Sequence, residues 1–247
     1  MSTTVDARIS QAAKRVRGRV AKTAGTLGES GFSTTLFLVA DASATLKIDG
    51  LRRSFGDREV VRSLTLEAEP GARIALFGPN GSGKTTLLRC VAGTLTPSGG
   101  SISVGGHAAG SMGARRLLGA SMAQERSFYL RLTGRANLLF FARLRHARER
   151  DAVRDVGALE EELELRDIAA ERVDRCSTGM VQQLALARAL IGRPSLLLLD
   201  EPTRSLDRDA RARIWGALDR RPGVTVMLAS HLDEDVDRCG TRIDFPT

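Results

Sequence analysis

Arg73-Ile74-Ala75-Leu76-Phe77, then Gly78-Pro79-Asn80-Gly81-Ser82-Gly83-Lys84-Thr85, then Thr86-Leu87-Leu88-Arg89-Cys90-Val91-Ala92-Gly93 follow one another without a break. They read as a short apolar strand, a glycine-rich turn and a helix closed by glycine. That order and the G-x-x-x-x-G-K-T spacing make a phosphate-binding loop. The glycines let the backbone curl until successive N–H groups point inward at an anion, and the helix adds the positive end of its dipole. Lys84 can reach the β- and γ-phosphates of a nucleotide, and the Thr85 hydroxyl can hold Mg²⁺. The candidate nucleotide-binding residues of this stretch are Gly78, Asn80, Gly81, Ser82, Gly83, Lys84, Thr85 and Thr86.

Chance is a poor explanation for the match. Gly fills 25 of 247 positions and Lys only four (14, 22, 47 and 84), so a random chain of this composition would carry the motif less than about once in a hundred times. The remaining basic residues are arginine. A compact ammonium therefore stands where triphosphate chemistry wants a point charge, and guanidinium serves almost everywhere else.

At 247 residues and 42% apolar, the chain has room for one large α/β domain and an appendage, with a real core. The formal charge of +8 is spread among 29 acidic residues, and beyond the first 22 residues no long single-sign block occurs. A solvated arginine-rich surface fits this better than a nucleic-acid groove, and no nucleic-acid partner is expected. Cys90, Cys176 and Cys239 are odd in number and far apart, without metal or disulfide spacing, as suits a reducing compartment. No apolar run approaches the ~20 residues that span a bilayer.

Residues 1–44 form a basic N-terminal extension unlike the rest. Ile9, Ala12, Ala13, Val16 and Val20 share one helical face, and Lys14, Arg15, Arg17, Arg19 and Lys22 surround the other. An amphipathic helix on an anionic membrane or a partner, a disordered tail, and an upstream extension of the start site all fit. The acid-poor composition also resembles a transit peptide, while Leu36 to Ala40 is short for a signal-peptide core.

From residue 45 the pattern turns regular. Leu46-Lys47-Ile48 and Leu64-Thr65-Leu66 alternate as strands around a Gly56-Asp57 turn, and Ser101 to Val104 is a further strand. Between Leu132 and Arg175 the periodicity is helical, with Thr133 as N-cap and Leu138, Leu139, Ala142, Val153, Val156, Leu159 and Leu163 as the apolar face. A helix from Ser177 through Leu190 ends at Gly192. Leu196-Leu197-Leu198-Leu199-Asp200-Glu201 reads as a buried parallel strand delivering two carboxylates to its carboxyl edge. Asp207 to Leu218 is helical with Trp215 in the core, and Val224 to Ala229 is a second buried strand ending at Ser230-His231.

Two adjacent acids at a strand end point in different directions. Asp200 can hold Mg²⁺ through water while Glu201 orients and deprotonates an attacking water, with His231 placed to donate to a γ-phosphate. Taken together, the residues resemble the ATP-binding cassette of ABC transporters, over roughly residues 45–245, which makes 45–247 the expected cassette domain. Gly78 to Thr85 matches the family's Walker A motif, Leu196 to Asp200 its Walker B, Glu201 the catalytic glutamate and His231 the switch histidine. Gln124 stands at the Q-loop, Ser177-Thr178-Gly179-Met180 at the signature, Ser205-Leu206-Asp207 at the D-loop. Phe55, otherwise a core aromatic, stands where the family's adenine-stacking ring lies.

The resemblance implies an α/β fold, a P-loop NTPase core with a mainly parallel central sheet, an antiparallel β subdomain and an inserted helical subdomain over about 125–192. It implies ATP and Mg²⁺ as cofactors, with Thr85, Gln124 and Asp200 toward the metal, Glu201 and Gln124 toward the attacking water, and His231 as the third catalytic residue, toward the γ-phosphate. Two cassettes, as a homodimer or heterodimer, would close head to tail. Ser177 and Gly179 would then meet the γ-phosphate across the interface, and Asp207 would lie beside it. A separate integral-membrane permease would hold the chain at the cytoplasmic face, with Phe128, Tyr129 and Arg131 as candidates to meet it.

Three departures matter. The signature lacks the common L-S-G-G-Q, and its S-T-G-M form resembles cassettes of ABC-2-type exporters. Ala136 removes a capping-box partner for Thr133. Ending at Thr247, the chain is expected to lack a regulatory C-terminal domain. The leading expectation is the ATPase of an ABC exporter; the alternative is a soluble ABC ATPase of an assembly complex, iron-sulfur cluster type, without a membrane partner. Repair, chromosome and ribosome-associated relatives usually carry a second cassette, a coiled coil or zinc-binding inserts, which are not visible here. The catalytic set argues against a non-hydrolysing regulator.

Overall fold

A computed structural model describes residues 45–122 and 128–245. The basic extension 1–44 and Gln124 lie outside the described residues.

The central sheet contains β3 (Arg73–Phe77), β6 (Leu118–Ser121), β7 (Leu196–Asp200), β8 (Thr225–Ala229) and β9 (Thr241–Asp244). Its strand order is β6-β7-β8-β3-β9, and every pairing is parallel. Parallel strands buried on both faces need apolar residues at successive positions, and β7 and β8 are buried throughout. Alternation then sorts their side chains into two layers. Leu197, Leu199, Val226 and Leu228 pack with Trp215 and the helices that follow residue 133. Leu196, Leu198, Met227 and Ala229 pack with Leu87, Leu88 and Val91 of the helix Lys84–Val91 and with the second sheet.

That second sheet is antiparallel. It contains β1 (Leu46–Phe55), β2 (Arg58–Ala68), β4 (Gly99–Val104) and β5 (His107–Ala108), in the order β2-β1-β4-β5. Leu46, Ile48, Leu51, Val61, Ile102 and Val104 turn one face into the core. Both sheets thus agree with the α/β expectation.

Between β6 and β7 run helices Gly134–Arg145, Glu149–Glu162, Arg166–Ala170 and Thr178–Leu190. Thr133 caps the first, its hydroxyl accepting from Ala136 N at 3.1 Å, and Ser177 caps the last. Leu138, Ala142, Val156, Leu159 and Leu163 are buried as their spacing requires. Val153 is not: it is exposed, one position off the buried stripe that runs through Ala152, Val156 and Leu159. Phe128 also departs from expectation. It is buried, stacked edge-on with Phe141 and under the Arg188 guanidinium, so it is a core ring rather than a contact for another chain. Tyr129 and Arg131 are exposed.

The segment before Gln124 holds structure that its residues did not announce. Met112–Leu117 is a helix capped by Ser111, and it leads directly into edge strand β6.

Candidate functional site

The carboxyl edge of the central sheet is level across three strands. Leu76 of β3 and Asp200 of β7 both pair with Ala229 of β8. Each strand's end therefore releases its following residues into one space: Gly78 onward from β3, Glu201 from β7, Ser230 and His231 from β8. Ligands of open α/β sheets bind at this edge.

The loop from β3 to its helix is tightly packed from outside. A Cβ on Gly83, where φ is +109°, would meet Val60 Cγ1 at 2.7 Å and its carbonyl oxygen at 2.8 Å; one on Gly78 would meet the Phe245 carbonyl at 2.6 Å. Glycine is thus demanded twice, by left-handed backbone and by crowding. Lys84 is buried, and its ammonium donates to the carbonyls of Gly78 (2.6 Å) and Pro79 (2.9 Å). Ser82 Oγ is buried without a hydrogen-bond partner. A cradle with a buried ammonium and an unsatisfied buried hydroxyl is built for an anion with several acceptor oxygens.

Thr85 Oγ1 donates to Asp200 Oδ2 at 2.8 Å. Asp200 is buried and Thr85 exposed at the loop mouth. A hydroxyl and a carboxylate converging beside a phosphate cradle are the hard oxygen donors that suit Mg²⁺, which keeps most of its waters and takes few protein ligands.

Glu201 follows Asp200 with φ +51°. That left-handed turn is held by Glu201 N donating to Ala229 O at 2.8 Å. Glu201 Oε2 lies 2.7 Å from His231 Nδ1. The Glu201 carboxylate is largely buried and the imidazole half-exposed. A carboxylate positioned by an imidazole beside a phosphate cradle can hold a water and accept its proton.

The remaining candidates occupy other places. Phe55 ends β1 and is exposed, with the Arg53 guanidinium 4.4 Å over its ring, so it is not a core aromatic. Ser177 Oγ accepts from Met180 N at 3.2 Å, and Met180 Sδ accepts from Ser177 N at 3.4 Å, which closes a capping box with a thioether in place of a carboxylate or amide. A Cβ on Gly179 would meet the Ser205 carbonyl at 2.6 Å. Gln182 Nε2 donates to Pro202 O at 3.2 Å, so the start of this helix leans on the loop after Glu201. Asp207 caps the helix Arg208–Asp219 by accepting from Ala210 N at 2.7 Å.

Sequence reading assigned no role to Thr203, Ser230 or Asp235. All three are buried polar residues directly behind Glu201 and His231, and no motif points to them.

Comparisons with known proteins agree with this geometry. A family model described as ABC transporter matches residues 61–204. Daunorubicin resistance ATP-binding protein DrrA3 of Streptomyces coeruleorubidus is 36% identical over 205 residues, covering 82% of this chain and 65% of its own length. Nod factor export ATP-binding protein I of Rhizobium meliloti (strain 1021) is 37% identical over 211 residues, covering 83% of this chain and 63% of its own length. The chain thus spans a little under two thirds of these two relatives. Among solved structures, an ATP-binding subunit of an ABC transporter superposes with TM-score 0.74 at 24% identity, covering 81% of this chain and 85% of that one. A dimeric bacterial ABC transporter cassette superposes at 0.73 and 21% identity, covering 81% and 94%.

Proposed function

The chain belongs to the ABC transporter family, and on that footing we propose that it is the ATP-binding and ATP-hydrolysing subunit of an exporter, working as a pair of cassettes. The observation that carries this reading is the convergence at one sheet edge of the Gly78–Thr85 cradle, the Thr85–Asp200 contact and the Glu201–His231 pair. Residues 45–247 act as the cassette and residues 1–44 as a basic extension.

The triphosphate lies on the loop N–H groups and the N-terminus of Lys84–Val91, and the Lys84 ammonium exchanges its Gly78 and Pro79 carbonyls for β- and γ-phosphate oxygens. Thr85 and Asp200 would hold Mg²⁺, which when bound would neutralise phosphate charge as it develops. Glu201 orients a water; as its oxygen bonds to the γ-phosphorus, the bond to the bridging oxygen breaks, and Glu201 takes the released proton. His231 holds the Glu201 carboxylate in place through Oε2 and faces the γ-phosphate with the rest of its ring. Gln124, outside the described residues, would take the family's Q-loop role toward water and metal; Phe55 would stack on adenine, and Ser177 and Gly179 of one cassette would close the site of the other beside Asp207.

No helix among the described residues is long and apolar enough to cross a membrane. A separate permease chain supplies the spans and places this subunit at the cytoplasmic face, and the exposed Tyr129 and Arg131 are where it docks. The names of the two relatives, one for daunorubicin resistance and one for Nod factor export, support export as the direction. The test is affinity capture of the tagged Glu201→Gln chain with ATP from detergent-solubilised native membranes. A polytopic membrane protein should co-purify; recovery of soluble partners alone would overturn the transporter half of the proposal.

A further inference from the structure

We propose that Asp235 is a positioning residue that aligns Glu201 and His231 from behind. The inference rests on the ATP-hydrolysing reading above.

Asp235 sits in a single helical turn, Asp233–Val236, and is fully buried. A buried carboxylate is costly unless its oxygens are hydrogen-bonded, and here both are. Oδ2 accepts from Thr203 Oγ1 at 2.6 Å and from Ser230 Oγ at 2.9 Å. Oδ1 accepts from the indole Nε1 of Trp215 at 3.3 Å. Thr203 and Ser230 are themselves fully buried.

The placement of the donors makes this more than core satisfaction. Thr203 lies two residues beyond Glu201. Ser230 directly precedes His231, and its Oγ also accepts from Leu232 N at 3.1 Å, so the backbone is gripped on both sides of the histidine. One oxygen atom of Asp235 therefore ties the turn carrying the carboxylate to the turn carrying the imidazole. Glu201 and His231 touch only through flexible side chains, 2.7 Å apart; their backbones are registered by Glu201 N on Ala229 O and by Asp235. From Thr203 the hold also passes forward, since Thr203 O accepts from Leu206 N next to Asp207.

Asp235 touches no reacting atom. Its loss should leave nucleotide binding intact and misplace the pair, and displacements of this kind lower turnover by about ten- to a hundredfold. The decisive readout is where the defect resides. Steady-state ATPase kinetics are measured for the parent, Asp235→Asn, His231→Ala and the double variant, with Thr203→Val and Ser230→Ala as milder cuts should Asp235→Asn fail to fold. Asp235→Asn should lower kcat with KM for ATP within about twofold, should be partly rescued by Asp235→Glu, and should add little once His231 is already alanine. An equal fall in kcat in both backgrounds, or parent-like kcat in the folded variants, overturns the inference while leaving the enzymatic reading standing. A parent that releases no phosphate, indistinguishable from Glu201→Gln, instead sinks that reading and this inference with it.

Discussion

Oε2 of Glu201 and Nδ1 of His231 meet at 2.7 Å across thirty positions of sequence. The contact exists because β7 and β8 are adjacent and in register, so that Asp200 and Ala229 stand side by side and the next residue of one strand faces the second residue beyond the other. It leaves the second carboxylate oxygen of Glu201 to serve as a base.

Glu201→Gln should therefore lower ATP hydrolysis by about 10²- to 10⁴-fold while ATP still binds, and should trap a nucleotide-bound dimer. Phosphate release, equilibrium ATP binding and light scattering check the three parts. Parent-like turnover would remove Glu201 from its role.

Lys84→Ala removes the buried ammonium that the cradle encloses. Charged hydrogen bonds of this kind contribute about 1.5–3 kcal/mol each, so affinity for ATP should fall by at least about tenfold. Titration with a fluorescent ATP analogue measures it, and undiminished affinity would show that the loop does not hold phosphate.

Two glycines in helices should respond oppositely to alanine. At Gly179 a Cβ would lie 2.6 Å from the Ser205 carbonyl, whereas at Gly157, inside Glu149–Glu162, nothing lies within 4 Å. Gly179→Ala should destabilise by about 1–3 kcal/mol and move the loop toward Asp207; Gly157→Ala should stabilise by about 0.5–1 kcal/mol. Thermal melts of both variants check this pair.

Much of the site was legible beforehand because it is written in local chemistry. Glycine spacing, a run of four leucines before two acids, and a buried strand before Ser230-His231 each need only a few contiguous residues. What escaped depends on neighbours distant in sequence. Leu118–Ser121 has one large apolar residue and becomes a strand because it pairs with Leu196–Leu199, and Gly119 has no room for a Cβ against the Ala189 carbonyl. Asp235 lies in an acidic run, Asp233-Glu234-Asp235, that reads as solvated surface; only the fold brings Thr203, Ser230 and Trp215 around it. Glu160 was hidden the same way among Glu160-Glu161-Glu162. Phe128 beside exposed Tyr129 is likewise assigned to the core only by Phe141 and Arg188.

Glu160 gives a pH-dependent prediction. Burial pushes its carboxyl upward, partly opposed by the Arg135 guanidinium at 2.5 Å and by Arg166. The folded chain then binds more protons at Glu160 than the unfolded chain does, so this group's contribution to stability declines as pH rises from the ordinary glutamate range to the raised folded value. Glu160→Gln cannot ionise. Its melting temperature should gain on the parent's across that window, with little difference below it; a gap constant with pH would contradict the assignment.

The left-handed backbone of Glu201 has an evolutionary corollary. A glutamate held at φ +51° costs about 1 kcal/mol that glycine would not. Heat-selected libraries that never ask for turnover should drift toward glycine at 201, recovering that strain while discarding the base. The most informative thermostabilised variants of this chain would then be those that keep Glu201 under the same pressure, because their gains must come from somewhere other than the reaction centre.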